Sequence, residues 1–307
     1  MLKKLAFLLL ITLALPVAAQ INDTYIIPAA ANVPGLFNTR WMTQLSIFNP
    51  QLDYALKVSV TYLPTDGGRG LEALITVPAN SVAFADNSLE EIFKISGSGA
   101  LVIATFPEDN PNVPNDVISR AFLVTTNTYN NASGGTYGQT VPGTWTGLQD
   151  YASDGISAVA HGIRHIARFG WRTNFGAVNL GSKAVTLRVN VYDANGNTIV
   201  KNATYTVLPE AHMQRALPAE VDHGSVEFFV DDPSKSSVVF PYVSTIDQLS
   251  GDPTYQAPTL LATTSALFGK KPVDLANLGK KISNAEARTA RQSAMSIGEV
   301  ALRHSAE

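Results

Sequence analysis

The chain has 307 residues, 45% of them hydrophobic, a formal net charge of −3 and no cysteine. The missing cysteine excludes a disulfide framework, thiolate metal sites, cysteine nucleophiles and a lipid-modified N-terminal cysteine, so each domain must be held by its own apolar core. Residues 20–258 are acidic and residues 259–307 mildly basic, which argues against a nucleic-acid surface on the body, since phosphate binding needs clustered Lys and Arg.

The chain opens with "MLKKLAFLLLITLALPVAAQ", a basic start at Lys3 and Lys4, an apolar run from Leu5 to Leu15 and small residues at Ala18 and Ala19. This pattern predicts a secretory signal peptide, residues 1–19, cut after Ala19. The apolar run falls short of the ~20 residues of a bilayer span, and no later stretch approaches that length. The expectation is a secreted or periplasmic protein with no membrane insertion after cleavage.

Beyond it, one pattern occurs twice. "WMTQLSIFN" (41–49) is answered by "WRTNFGAVN" (171–179), each preceded by a strand-like segment, "TYIIPAAANV" (24–33) and "ISAVAHGIRHI" (156–166). "LKVSV" (56–60) matches "LRVNV" (187–191), apolar at alternate positions as a half-buried strand requires. The separation changes by one between these matches, and the gain belongs in the loop near Asn49-Pro50 and Asn179-Leu180, because inside a strand it would turn every side chain to the wrong face. "PTDGG" (64–68) and "DANGN" (193–197) are hairpin turns, and the returning strands close at "ITVPAN" (75–80) and "YTVLPE" (205–210). "GALVIATF" (99–106) then matches "GSVEFFV" (224–230), "VISRAFLVTT" (117–126) matches "VVFPYVSTID" (238–247), and "GGTYGQTVP" (134–142) matches "GDPTYQAP" (251–258).

The pattern predicts an all-β chain of two tandem immunoglobulin-like β-sandwich domains, residues 20–142 and 156–258, joined by a linker at 143–155 and followed by a flexible or helical tail at 259–307. Within that tail Ser283 and Glu286 form a candidate capping box for a short helix. The duplicated residues Trp41/Trp171, Thr43/Thr173, Asn49/Asn179 and Tyr137/Tyr255 read as structural, serving a need shared by both copies.

No constellation points to chemistry. His161 and His165 are four apart in "HGIRH", but the segment reads as a strand and lacks the glutamate of a zinc-protease helix. Asp193, Asn195 and Asn197 resemble the start of a calcium loop, without its glycine and its bidentate glutamate. Asp222, Glu227, Asp231 and Asp232 are candidate paired carboxylates, read more simply as strand and turn residues. There is no nucleophile elbow and no phosphate loop, so no catalytic residue, cofactor or metal is assigned.

The richest unrepeated stretch is "NTYNNASGGTYGQTVPGTW" (127–145), where Tyr129, Asn130, Asn131, Tyr137 and Trp145 combine aromatic faces with amides suited to a glycan or an extracellular protein. Asn22, Asn131 and Asn202 begin N-x-S/T triplets, which matter only in a host that glycosylates.

With "WRTNFGAVN", "DANGN" and "GDPTYQAP", residues 25–258 resemble a group of uncharacterised secreted bacterial proteins, of acidobacterial type, built from one or two β-sandwich modules. The resemblance implies secreted modules often appended to larger proteins, and it implies no catalytic residue. The first copy departs from the motif with Met42 where the second has Arg172, and "GGTYGQ" where the second has "GDPTYQ". A site built on Arg172 or Asp252 would therefore exist only in the second copy. The expectation is a non-catalytic binding or structural protein of the envelope or extracellular space. The alternatives are an extracellular hydrolase acting on polysaccharide or peptide, and a periplasmic assembly chaperone.

Overall fold

The computed structural model describes residues 23–35, 39–105, 119–132, 135–144, 156–232 and 237–262. The expected signal peptide, Trp145 and the expected tail helix lie outside them. The protein is all-β, and among the described residues every pairing between the named strands is antiparallel. The first repeat comprises β1 (Thr24–Pro34), β2 (Arg40–Asn49), β3 (Leu56–Pro64), β4 (Leu71–Val77), β5 (Ser81–Ala85), a short helix α1 (Ser88–Phe93), β6 (Gly97–Thr105), β7 (Leu123–Ala132) and β8 (Gly135–Thr140). Their order is β4-β3-β6-β1-β2-β7-β8, with β5 on the other side of β2. β1 joins the two layers of this sandwich: Thr24–Asn32 pair with β6, and Asn32–Pro34 pair with β2. Between the layers lie Ile27, Leu45, Ile47, Val58, Leu101, Ile103 and Phe122, alternate residues of their strands as a half-buried sheet dictates.

The second repeat has the same plan in two separate sheets. β9 (Ile156–His165), β11 (Val185–Tyr192), β12 (Thr198–Val207), β14 (Val221–Asp231) and β17 (Thr259–Ala262) form one, in the order β12-β11-β14-β9-β17. β10 (Trp171–Asn179), β13 (Ala211–Ala216), β15 (Val239–Asp247) and β16 (Pro253–Gln256) form the other, in the order β13-β10-β15-β16. Phe175, Leu187, Val189, Val226 and Phe228 fill the space between them. β17 comes from the segment read as a flexible or helical tail, and it completes the edge of β9. The first repeat does the same with less, since Thr144 exchanges both backbone hydrogen bonds with Ile26 on β1.

Register shows why the duplicated polar residues recur. Asn49 Nδ2 donates to the carbonyls of Tyr54, Val77 and Pro78, and its Oδ1 accepts from Gln51 N. Asn179 repeats this with Lys183, Val207, Leu208 and Gly181 N. Thr43 bonds Thr128, and Thr173 bonds Thr245, each at 2.8 Å. Unpaired polar groups so buried would be costly, so each repeat carries its own pin.

Three matches read in the sequence shift. Leu56 pairs with Val77 and Val185 with Val207, so the counterpart of Leu56 is Val185, not Leu187. Leu123 lies opposite Phe48 and Phe240 opposite Val178, so the counterpart of Leu123 is Phe240, not Ser244. Both slips are by an even number of residues, which preserves the in-out alternation and is invisible to it. Tyr137 faces Asn130, whereas Tyr255 faces Ser244, the counterpart of Asn127, so this tyrosine pair is not structurally equivalent. Nor are the tryptophans core residues, since both Trp41 and Trp171 are only half-buried.

Both repeats lie within one compact unit. A third apolar cluster joins them: Ile26, Leu63 and Ala100 on the outer face of β1-β3-β6 pack against Val178 and Phe240 on the outer face of β10-β15. The hairpin between β3 and β4 also meets edge strand β13, where Asp66 N donates to His212 O at 2.8 Å. That contact covers an edge that would otherwise be open to foreign strands.

Candidate functional site: the cleft between the repeats

The outer face of β10 and β15 runs past this shared core. At Val178 and Phe240 it is sealed against the first repeat, and farther along the two repeats part around a cleft of about 450 Å³. One wall is β1 from Ala29 to Pro34, following an irregularity between Ile27 and Ala30 that bends the strand. Trp41 from β2 and Gln139 from β8 extend this wall. The opposite wall is Arg172 and Asn174 of β10, Gln214 of β13 and Ser244 of β15.

The floor is a continuous hydrogen-bonded row. Thr65 Oγ1 lies 2.7 Å from His212 Nδ1, His212 Nε2 lies 2.8 Å from the Tyr242 hydroxyl, and that hydroxyl donates to Gln214 Oε1 at 2.8 Å. Burial pulls the His212 pKa from 6.5 down to about 3, so the ring is neutral. Burial also raises the Tyr242 pKa, with the neighbouring Tyr255 adding to the effect, and the phenol stays protonated. Room for the Tyr242 ring comes from Gly176, where a Cβ would lie 2.4 Å from ring carbons.

Two cations line the cleft, in different circumstances. Arg215 forms a two-pronged ion pair with Asp66 across the repeat boundary, at 2.8 and 3.2 Å. Arg172 makes no hydrogen bond and no ion pair among the described residues, and its Nε is closed off from solvent with no partner. Burial lowers its pKa, yet a guanidinium remains charged at any physiological pH. Among the described residues, no carboxylate lines the cleft. The cleft thus combines a planar cation unsatisfied among the described residues with a flat aromatic residue across from it and several amides, suited to a carboxylate by its fork of donors and to hydroxyls by its amides.

The residues expected from the 127–145 stretch do not converge. Tyr129 donates to Asp86 O at 3.2 Å; Asn130 is buried on the opposite face of β7; Asn131 is exposed; Tyr137 is 36% exposed on β8; and Trp145 lies outside the described residues. The stretch contributes instead through Thr128 and Gln139, both on the cleft. Sequence reasoning assigns none of Arg172, Trp41, Asn174 and Gln214 to a site, although the Met42/Arg172 difference marks a cation present in the second copy and absent from the first.

The other candidates are accounted for separately. His161 is exposed, while His165 Nδ1 accepts from Thr173 N at 2.9 Å. Asp193 accepts from Asn195 N and Asn197 N, both at 2.8 Å, closing the hairpin turn in which Gly196 takes a φ of +80°. Asp222 pairs with Arg164, Asp231 with Arg188, and Asp232 accepts from Ser237 N. Glu227 accepts from Ser157, Asn190 and Tyr192. None of these carboxylates lines the cleft, and no group of three or more potential metal ligands occurs among the described residues. No helix among the described residues is long and apolar enough to cross a membrane.

No protein-family model matches the chain, and no curated protein is similar to it.

Proposed function

We propose that the chain is an exported, non-catalytic binding protein of the cell envelope or extracellular space, and that the cleft between its repeats receives an acidic glycan. The observation that carries this reading is Arg172, whose guanidinium makes no hydrogen bond or ion pair among the described residues and lines the cleft together with Trp41 and the amides of Asn174, Gln139 and Gln214. A uronate supplies what each of these lacks, a carboxylate for the fork, hydroxyls for the amides and an apolar sugar face for the indole. Export rests on the signal-like N-terminus, and the non-catalytic reading on a neutral His212 and a protonated Tyr242 held in the buried row, with no carboxylate among the described residues that line the cleft.

Isothermal titration of residues 20–307 with an oligogalacturonate and with the neutral oligogalactose is the test. The expected result is saturable binding to the acidic sugar, weakening as salt is raised, and none to the neutral one. Equal affinity for both, or binding only to a peptide carboxylate, would overturn the glycan assignment.

A further inference from the structure

The duplication exposes a second surface. On the outer face of the first repeat, Val82, Phe48 and Leu123 stand side by side across three adjacent strands, and Phe84 follows Val82 on the same face of β5. Val82 is 53% exposed, Leu123 51% and Phe84 72%. Register assigns their counterparts in the second repeat: His212 for Val82, Val178 for Phe48, Phe240 for Leu123 and Gln214 for Phe84. Those counterparts are not bare. Val178 and Phe240 form the shared core with Ile26, Leu63 and Ala100, and His212 is bonded to Thr65. The same row of the fold is thus docked in one copy and open, and more apolar, in the other.

What covers it follows from the faces a partner can offer. The face that receives the row inside the chain, around Ile26, Leu63 and Ala100, is already occupied. Its counterpart in the second repeat has Val159 for Ile26, Tyr192 for Leu63, Ser225 for Ala100 and Glu227 for Val102. Glu227 is only 2% exposed and is committed to Ser157, Asn190 and Tyr192. Stacking copies head to tail would therefore set apolar side chains against a carboxylate network and strand its polar groups. Turning a second copy through a two-fold axis instead sets the open row on itself, apolar on apolar, in the isologous arrangement that closes at two. We infer that Val82, Phe48, Leu123 and Phe84 form a self-association surface that pairs two copies of this chain. Four side chains are far fewer than the roughly 20–30 residues a side of a standard interface, so the dimer forms in a concentration-dependent way. This inference is independent of the ligand cleft.

Sedimentation equilibrium of residues 20–307 over a concentration series tests it. The average mass should rise from monomer toward dimer and no further. Phe84→Asp should hold the mass at monomer without lowering the melting temperature, because the side chain is largely exposed. Leu249→Asp, a change at an apolar residue 87% exposed on a different turn, should dimerise as the native chain does. A monomer at all concentrations, dimers that persist in Phe84→Asp, or masses growing beyond the dimer would each overturn the inference.

Discussion

His212 reaches the first repeat through Nδ1 at Thr65 and bonds Tyr242 of its own repeat through Nε2, and its burial has a consequence for acid stability. The unfolded chain takes up a proton on this ring near pH 6.5, but the folded chain resists until about pH 3. A depressed histidine pKa means that acid favours the unfolded state. The contribution is complete above about pH 6.5 and is lost as pH falls toward about 3, with a slope of up to ~1.4 kcal/mol per pH unit. His165, lowered by burial, and Asp193 and Asp247, lowered by hydrogen bonds to their charged forms, lose stability in the same direction. His212→Gln should therefore melt lower than the native chain near pH 7 but lose less on acidification to about pH 4.5. An undiminished acid loss in the variant would show that His212 is protonated in the folded state.

At the scale of elements, two glycines occupy equivalent strand positions for one reason. A Cβ on Gly99 would lie 2.2 Å from Leu63 O, and one on Gly224 would lie 2.4 Å from Tyr192 O, where Leu63 and Tyr192 are themselves counterparts. The neighbouring strand approaches too closely for any side chain, so Gly99→Ala and Gly224→Ala should each cost about 1–3 kcal/mol in urea unfolding. A neutral result at either would mean that the strands can part there. The sequence match placed this glycine pair in register because a fixed residue marks it. It slipped at β3/β11 and at β7/β15, where only alternation guided it and an even shift leaves every side chain on its proper face. α1 escaped notice because a single turn and a half shows no helical period, although Asn87 caps it by accepting from Glu90 N and Glu91 accepts from Asn87 N. The candidate site was less legible than the strands. Its walls are the outer faces of strands from different repeats, and neither face carries a pattern that reveals its partner. Only the Met42/Arg172 difference pointed toward it.

For the whole molecule, duplication supplied two similar sandwiches, and divergence gave their outer faces different work. The second repeat's β10-β15 face packs on the first repeat at Val178 and Phe240, and the same face then departs to form the cleft at Asn174 and Arg172. Docking at one end of a face thus creates a recess at the other, where Arg172 has, among the described residues, no acidic partner such as Arg215 has in Asp66. The measurement that tests this most directly is oligogalacturonate affinity of Arg172→Met, which restores the residue of the first copy, beside Arg215→Met. The account predicts that Arg172→Met weakens binding by ~30-fold or more, as loss of a desolvated charge partner does, while Arg215→Met changes it only a few-fold. Equal losses in the two variants, or none in Arg172→Met, would contradict it.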